Sequence, residues 1–387
     1  MPKKLFRKTP LALLQLMKEK IRLSVAIAGI AFADILMFFQ LGMLDALFDG
    51  VAKPHQLLQA DLVLVNSQFQ TLYLVKEFPR ERLQQTLAYE GVKSVTPLYI
   101  GFAQWRNPQT QINRSILVWG IDPINPPFPL PALKSNQSQL KLLNRVLFDQ
   151  GSRPEYGTIP QLLNQSKNLE IQLNDKNVEV IGLFDIGASF VTDGNVITGD
   201  STFLNLFPEH KNNNITMGLI KLKSGADLQQ IQAQIAANLP KDVKVVTPAQ
   251  LAQTEIEYSS DQGIGFVFGL GVMVGFIVGI VIVYQILYAD VSDHLPEYAT
   301  MKAMGYSDGY LLGVLIQASL LLAILGYIPG FFFSIGLYRL GYSATQLPIM
   351  MKVSRAVMVL ILTITMCAVS GVIAMNKLRS ADPADIF

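Results

Sequence analysis

Few side chains in this sequence have the chemistry and spacing of a catalytic or metal-binding site. There is one cysteine, Cys367, inside an apolar run, and the three histidines, His55, His210 and His294, are far apart along the chain. A single cysteine excludes a disulfide within the chain and a multi-cysteine metal site, and scattered histidines do not match a metal-binding motif. We therefore expect this chain to bind no metal.

Short motifs that bind nucleotides or metals for hydrolysis are also missing. No Gly-Lys dipeptide occurs, which excludes a P-loop, and there is no H-E-x-x-H or C-x-x-C. The net charge of +2 and the pI of 8.4 offer no basic footprint for nucleic acid. The sequence thus predicts a non-catalytic chain that does not bind nucleic acid.

One carboxylate, Asp34, lies in the middle of a long apolar segment. A charge at that depth of a membrane costs roughly 2.5–3.5 kcal/mol, which invites a functional interpretation. An intramembrane aspartyl protease would need a second buried Asp, and the other apolar segments contain none. Asp34 is predicted to face a helix–helix seam or a wet cavity and to pair with polar groups there, either for function or as a tolerated residue.

The composition predicts a membrane protein. Half of the residues are hydrophobic and only 16% are charged, whereas a soluble domain has about 25% charged residues. A membrane-spanning helix needs roughly 20 apolar residues. Four segments meet that length: 23–48, 264–288, 311–338 and 353–375.

The basic residues set the predicted orientation. Seven Lys and Arg side chains precede the first segment, which places the N-terminus in the cytoplasm. Residues 49–263 and 339–352 are then outside, and residues 289–310 and 376–387 are inside. Residues 1–22 form either an amphipathic helix on the inner membrane surface or a basic flank that only sets the topology.

Glycines in the second span recur at intervals of four residues, as Gly265 and Gly269, and then as Gly271, Gly275 and Gly279. Small residues at this spacing let helix backbones approach closely. The row is predicted to serve either as a packing face within the chain or as a dimer seam.

The region between the first two spans contains the same pattern near each of its ends. Residues 61–105 and 215–247 each show a strand, a short helix and a strand. Two β-α-β units around an insertion at about 124–212 predict a split α+β domain of the ferredoxin-like kind. The insertion is either a small β-rich binding module or a spacer.

Residues 290–311, DVSDHLPEYATMKAMGYSDGYL, are more elaborate than a simple connection between two spans. Pro296 suits a first helical turn, Glu297 complements the positive end of the helix dipole, and Gly305 is a left-handed stop signal. We predict a short helix with one face formed by Tyr298, Met301 and Met304. That helix either lies on its own membrane or inserts into a groove on a cytoplasmic partner.

The residue types in this helix resemble the cytoplasmic loop of FtsX/MacB-type permeases, which docks onto the ATPase of an ABC transporter. The matching residues are Glu297, Ala299, Met301, Lys302, Ala303, Met304 and Gly305, and the tail KLRSADPADIF at 377–387 resembles the family's C-terminal end. Pro296 and Tyr298 complete the predicted coupling helix, although Tyr298 replaces the usual aliphatic residue. With no fused ATPase, the chain looks most like the DevC branch of cyanobacteria.

The resemblance implies a fold and a set of partners. The fold is an α-helical membrane protein with four transmembrane helices (1+3) and a large α+β extracytoplasmic domain between the first and second. The chain would work as a homodimer in the bacterial inner membrane, with a separate ATPase that binds ATP and Mg²⁺. Further partners would be a periplasmic membrane-fusion adaptor and a TolC-like outer-membrane channel, with a lipid or glycolipid as cargo. The alternatives are an FtsX-like signal transmitter that regulates an extracytoplasmic hydrolase, and a lipoprotein-releasing permease.

Overall fold

A computed structural model describes residues 20–165, 168–190, 192–210 and 213–379. The chain divides into two compact units, a helical unit (Met1–Leu44, Gly265–Leu340 and Ile349–Phe387) and an α/β unit (Asp45–Ile264 and Gly341–Pro348). Most of the predicted N-terminal segment, residues 1–19, and the end of the tail, residues 380–387, lie outside the described residues.

The helices, in chain order, are α1 (Lys20–Gln56), α2 (Arg80–Gln85), α3 (Pro131–Ser135), α4 (Gln137–Leu140), α5 (Ile159–Gln165), α6 (Asp200–Leu206), α7 (Leu228–Asn238), α8 (Pro248–Asp261), α9 (Ile264–Asp293), α10 (Leu295–Ala303), α11 (Asp308–Thr345) and α12 (Val353–Arg379). The strands are β1 (Leu62–Asn66), β2 (Phe78–Pro79), β3 (Val92–Arg106), β4 (Asn113–Ile121), β5 (Arg145–Asp149), β6 (Leu169–Leu173), β7 (Lys176–Phe184), β8 (Asn195–Gly199), β9 (Asn214–Ile215), β10 (Met217–Leu222) and β11 (Val243–Val246).

Four of the described helices, α1, α9, α11 and α12, are long and apolar enough to cross a membrane. The four-helix part of the predicted fold class is therefore confirmed. Each helix is longer than its predicted span; α1, for example, has 37 residues and continues to Gln56. The span prediction counts apolar residues only, whereas a helix continues through polar residues as long as its backbone hydrogen bonds form.

The core of the helical unit consists of small and branched side chains. Ala26, Ile30 and Ala33 of α1 pack with side chains from α9, α11 and α12. Close approach depends on glycine, because a Cβ built at Gly326 of α11 would lie 2.5 Å from the Ile30 Cβ. Small residues at such crossings are typical of membrane helix packing.

The α/β unit contains a nine-stranded sheet with the order β11-β1-β10-β3-β4-β8-β5-β7-β6. The first four strands come from the two predicted β-α-β units, and they pair antiparallel in the ferredoxin-like order. Strand β1 is apolar on both faces because Leu62 and Leu64 contact one core while Val63 and Val65 contact the other. The predicted split domain is confirmed.

The insertion is β-rich, but its strands extend the same sheet. Strand β3 has 15 residues. The first part of β3 pairs with β10, and the second part pairs with β4. Strand β6 returns to β3 at the pair Trp105 and Leu173, so six strands close on themselves around a shared core. Closure leaves those strands without open edges, and the insertion is not a separate module.

Candidate functional site

Helix α10 has the caps that the sequence predicts. Pro296 lies in the first turn, Glu297 is the acidic residue of that turn, and Lys302 is the basic residue of the last turn. Gly305 has a φ of +91°, its N–H donates to the Lys302 carbonyl at 3.0 Å, and the Tyr306 N–H donates to the Met301 carbonyl at 3.1 Å. These two bonds form a complete Schellman motif, which ends the helix at a defined residue.

The predicted apolar face of α10 is partly wrong. Tyr298 and Ala299 are buried, and Tyr298 packs with Met301 against side chains of α9, α11 and α12. Met304 is 65% exposed instead. Each step of three residues rotates a side chain by about 60° around the helix, so two steps carry Met304 away from the face that holds Tyr298.

The outer side of α10 is exposed to solvent. Its exposed residues are Pro296, Glu297, Thr300, Ala303 and Met304, and we call them the loop surface. Burial raises the pKa of the Tyr298 hydroxyl to about 12, and the nearby charges of Asp290 and Glu297 add to this effect. The inner face formed by Tyr298, Ala299 and Met301 contains no acidic or basic side chain, and Glu297 is the acidic residue of the loop surface.

A serine-hydrolase string, G-x-S-x-G, occurs at residues 305–309, directly after α10. In hydrolases this string forms a turn between a strand and a helix. Here it connects α10 with α11, and Ser307 donates no described bond to a histidine. The string in this chain forms the end of one helix and the start of the next.

Asp34 faces a helix–helix seam, which is one of the two predicted alternatives. Its side chain is fully buried, and the Thr363 hydroxyl of α12 donates to its Oδ1 at 2.6 Å. A Cβ built at Gly330 of α11 would lie 2.9 Å from the Asp34 Cβ. The seam thus joins α1, α11 and α12 around one carboxyl group.

The glycine row of α9 divides into two sets. Built Cβ atoms would lie 2.5 Å from Gln40 Cδ at Gly271 and 3.3 Å from Met37 Cγ at Gly275, and at Gly279 the Cβ would overlap Met366 Sδ. No atom lies within 4 Å of a Cβ at Gly269. Packing inside the helical unit explains Gly271, Gly275 and Gly279. A dimer seam at Gly265 and Gly269 stays a prediction.

A buried polar cluster in the α/β unit was not predicted. Its centre is Glu255 of α8, which is fully buried and pairs through Oε2 with Nε2 of His55, a residue that is 1% exposed. The other carboxylate oxygen of Glu255 accepts hydrogen bonds from the Thr71 hydroxyl at 2.7 Å and the Leu72 N–H at 2.9 Å. The cluster connects the last turn of α1 with α8 and with the short 3-10 helix at Leu72–Leu74.

The start of α8 fixes the position of Glu255. Thr247 and Gln250 form a capping box, with Pro248 in the first turn. Leu251 is buried on the same face one turn before Glu255. The sequence offered one signal for this cluster, since Glu255 lies four residues after Leu251 and therefore on the apolar stripe of α8. A charged side chain on such a stripe needs a partner.

A second polar anchor lies close to the first. The Lys53 ammonium, also in the last turn of α1, donates to the Ile186 carbonyl. The buried Asp149 holds the same loop through the N–H groups of Ile186 at 3.2 Å and Gly187 at 2.8 Å. Burial raises the pKa of Asp149, and its hydrogen bonds act in the opposite direction. The end of α1 is therefore attached to the α/β unit on two sides.

The described residues contain no group of three or more His, Cys, Asp or Glu side chains that could hold a metal ion. The polar clusters described above consist of side chains that hydrogen-bond or pair with groups on neighbouring helices and loops. They fit a role in holding helices and loops in place.

Comparisons with known proteins define the class of the helical unit. Residues 265–383 match the family model for the FtsX-like permease C-terminal domain. An uncharacterized ABC transporter permease of Methanocaldococcus jannaschii is 26% identical over 187 residues, which are 45% of this chain and 45% of that protein. This chain therefore spans about half the length of the curated relative it matches.

Two solved structures are similar to parts of the chain. The periplasmic region of MacB from Actinobacillus actinomycetemcomitans has a TM-score of 0.36 at 13% identity, covering 51% of this chain and 94% of that one. The extracellular domain of YknZ, a noncanonic ABC-type transporter from Gram-positive bacteria, has a TM-score of 0.33 at 12% identity, covering 49% and 99%.

The helical unit thus carries the C-terminal domain of an FtsX-like permease. This match agrees with the resemblance to FtsX/MacB-type permeases that the loop at 296–305 carries. The four apolar helices and the family indicate a multi-pass membrane protein. The DevC subtype stays a prediction.

Proposed function

We propose that this chain is the non-catalytic permease subunit of an ABC transporter, and that it converts ATP hydrolysis by a separate ATPase into movement of the α/β unit. The observation that carries this proposal is that one side of α10 is exposed and the other side packs against the long helices. Its loop surface is exposed, while Tyr298, Ala299 and Met301 pack on α9, α11 and α12. A partner that displaces the loop surface would therefore displace three of the long helices with it.

The end of α1 supports the next step of this mechanism. Helix α1 is continuous from Lys20 to Gln56, and its last turn is held in the α/β unit by His55 and Lys53. The connection between α8 and α9 is interrupted, since Gly263, with a φ of +80°, separates the two helices. In the proposed mechanism α1 transmits the movement, and Gly263 allows the angle between α8 and α9 to change.

The substrate is proposed to be handled by the α/β unit. Asp34 is the only buried carboxylate in the described helical unit, and it is hydrogen-bonded within a seam. A polar path through the membrane would need more such groups. The cargo is then moved on the outer side of the membrane, with a lipid or glycolipid as the expected class.

The remaining parts of the proposal come from the family resemblance. They are a homodimer in the inner membrane with both termini in the cytoplasm, ATP and Mg²⁺ on the ATPase chain, a periplasmic adaptor and a TolC-like outer-membrane channel.

The deciding experiment is co-purification of an ATPase with the tagged full chain in detergent. The test variant combines Glu297→Lys and Met304→Asp, which change two exposed residues of the loop surface. The control combines Glu209→Lys and Leu143→Asp, which make the same types of change at exposed positions of the α/β unit. We expect wild type and control to retain a P-loop-containing subunit with ATP turnover, and the test variant to lose it while still inserting in the membrane.

Two results would contradict the proposal. One is that neither wild type nor control retains an ATPase. The other is that the loop-surface variant retains it fully, with unchanged ATP turnover.

A further inference from the structure

Two adjoining surface cavities in the α/β unit have no assigned role. One, of about 320 Å³, lies beside residues 58–61 and the end of β10, and the other, of about 230 Å³, extends along the Pro-rich segment at 124–127. Gln59 and Lys221 line both cavities. We call the two together the lysine groove.

Backbone hydrogen bonds preform the walls of this groove. The Gln59 N–H donates to the Pro127 carbonyl at 2.7 Å and joins the segment after α1 to the Pro-rich segment. Asp122 holds that segment in a turn, since its carboxylate accepts from the Ile124 N–H at 2.8 Å and from the Asn125 side-chain amide at 3.0 Å. The sheet supplies the floor, so the shape of the groove does not depend on a ligand.

The charges in the groove are unbalanced. Lys93 of β3, Lys134 of α3 and Lys221 of β10 line it, and within the described ranges none of the three pairs with a carboxylate. Asp61 is the one acidic lining residue, and its Oδ2 accepts the Leu222 N–H at 2.7 Å. Three ammonium groups therefore share the groove with one carboxylate that is already hydrogen-bonded to the backbone.

Further donors and an apolar wall lie next to these charges. Register pairing places Ser94 opposite Lys221 and Thr96 opposite Leu219, so two hydroxyl groups lie beside the cationic side chains. Ile124 lines the second cavity with 61% of its surface exposed. Cationic and hydroxyl donors next to an exposed apolar wall are complementary to a ligand with an acidic head and an apolar portion.

We propose that the lysine groove binds the anionic oxyacid group of a ligand, of the phosphate type, with an apolar portion of the same ligand against Ile124 and the neighbouring prolines. Lysine binds phosphate as a point charge with up to three donors, which does not require the bidentate geometry of arginine. This inference goes beyond the proposed function, since it depends on neither the loop surface nor an ATPase.

The test is calorimetric titration of the full chain in nanodiscs of phosphatidylcholine. The probes are inorganic phosphate, short-chain phosphatidic acid and short-chain phosphatidylcholine. The test variant carries Lys93→Gln, Lys134→Gln and Lys221→Gln. The matched control carries Lys76→Gln, Lys141→Gln and Lys241→Gln, three exposed lysines of the same unit that line neither cavity.

We expect wild type and control to bind phosphatidic acid more tightly than inorganic phosphate, and the groove variant to bind it at least about tenfold more weakly. The affinity should fall as salt is raised, because the lysines are exposed and screened. If inorganic phosphate binds as tightly as phosphatidic acid, the oxyacid site stands and the apolar contact is wrong. Absence of binding to wild type, equal binding of phosphatidylcholine, or an equal loss in the control variant would overturn the proposal.

The groove variants leave the loop surface unchanged. Co-purification of an ATPase with the groove variant therefore separates a failure of this inference from a failure of the proposed function.

Discussion

Replacing Glu255 by Ala tests whether the buried cluster anchors the end of α1. The change removes the acceptor of three groups, the His55 ring nitrogen, the Thr71 hydroxyl and the Leu72 N–H, all in a buried environment. Removing a buried carboxylate that three buried groups share costs about 3–5 kcal/mol, because those groups are left without their partner. The conservative change Glu255→Gln keeps an acceptor and should cost less, about 1–3 kcal/mol.

The two tryptophans of the chain make the effect measurable in the full protein. Trp105 and Trp119 are both in the α/β unit, so their fluorescence reports unfolding of that unit alone. For a domain of this size a loss of 1 kcal/mol lowers the unfolding midpoint by about 2–4 °C. Glu255→Ala should therefore lower the fluorescence midpoint by roughly 6–20 °C, from the same conversion.

A second His–Glu pair in the same unit provides the control. His210 and Glu77 pair in a partly exposed part of the α/β unit, with side chains that are 15% and 26% exposed. Exposed or partly exposed pairs contribute about 0–1 kcal/mol, so Glu77→Ala should lower the midpoint by only a few degrees. If Glu255→Ala lowers the midpoint no more than Glu77→Ala does, the cluster is not an anchor and the proposed path through α1 loses its support.

Two further predictions concern the helical unit. Gly275→Leu should destabilise the folded protein in detergent by about 1–3 kcal/mol, because the new side chain overfills a packed helix crossing. Gly269→Leu should have little effect, because a Cβ at that position has no atom within 4 Å. Thermal unfolding followed by size-exclusion chromatography measures both variants, and equal effects would contradict the division of the glycine row into two sets. Thr363→Val removes the hydrogen bond to Asp34 and should lower the stability by about 0.6 kcal/mol, the average for a hydrogen bond between membrane helices. The same assay should therefore show little change. A loss of several kcal/mol of stability would contradict the view that this hydroxyl only joins two helices.

Local signals in the sequence predicted the helices and the first half of the sheet. A long apolar run identifies a membrane span whichever helix packs against it, and the stop signal at Gly305 acts within one helical turn. Both features could therefore be predicted without knowledge of tertiary contacts. The ferredoxin-like order followed from two similar β-α-β patterns. For the spans and the stop signal the deciding information lies within one helix, and for the sheet it lies within the two patterns at 61–105 and 215–247.

The errors came from contacts between distant parts of the chain. The insertion was expected to be a small β-rich module or a spacer, and no local pattern showed that its strand β6 pairs with β3 more than sixty residues away, at Leu173 and Trp105. The face of α10 depends on which helices pack against it, and sequence spacing alone assigned Met304 to the wrong side. His55 and Glu255 are two hundred residues apart in sequence, and no local pattern connects them.

Strand β3 belongs to both halves of the α/β unit, and this has a consequence for any attempt to shorten the protein. Excising residues 124–212 would remove the strands that lie beyond β4, leaving Trp105 and its neighbours at an open edge with an apolar surface. An unpaired apolar edge is a template for aggregation. The insertion is for this reason not a removable cassette, and a minimal version of the domain would need a redesigned strand where the natural chain has a shared one.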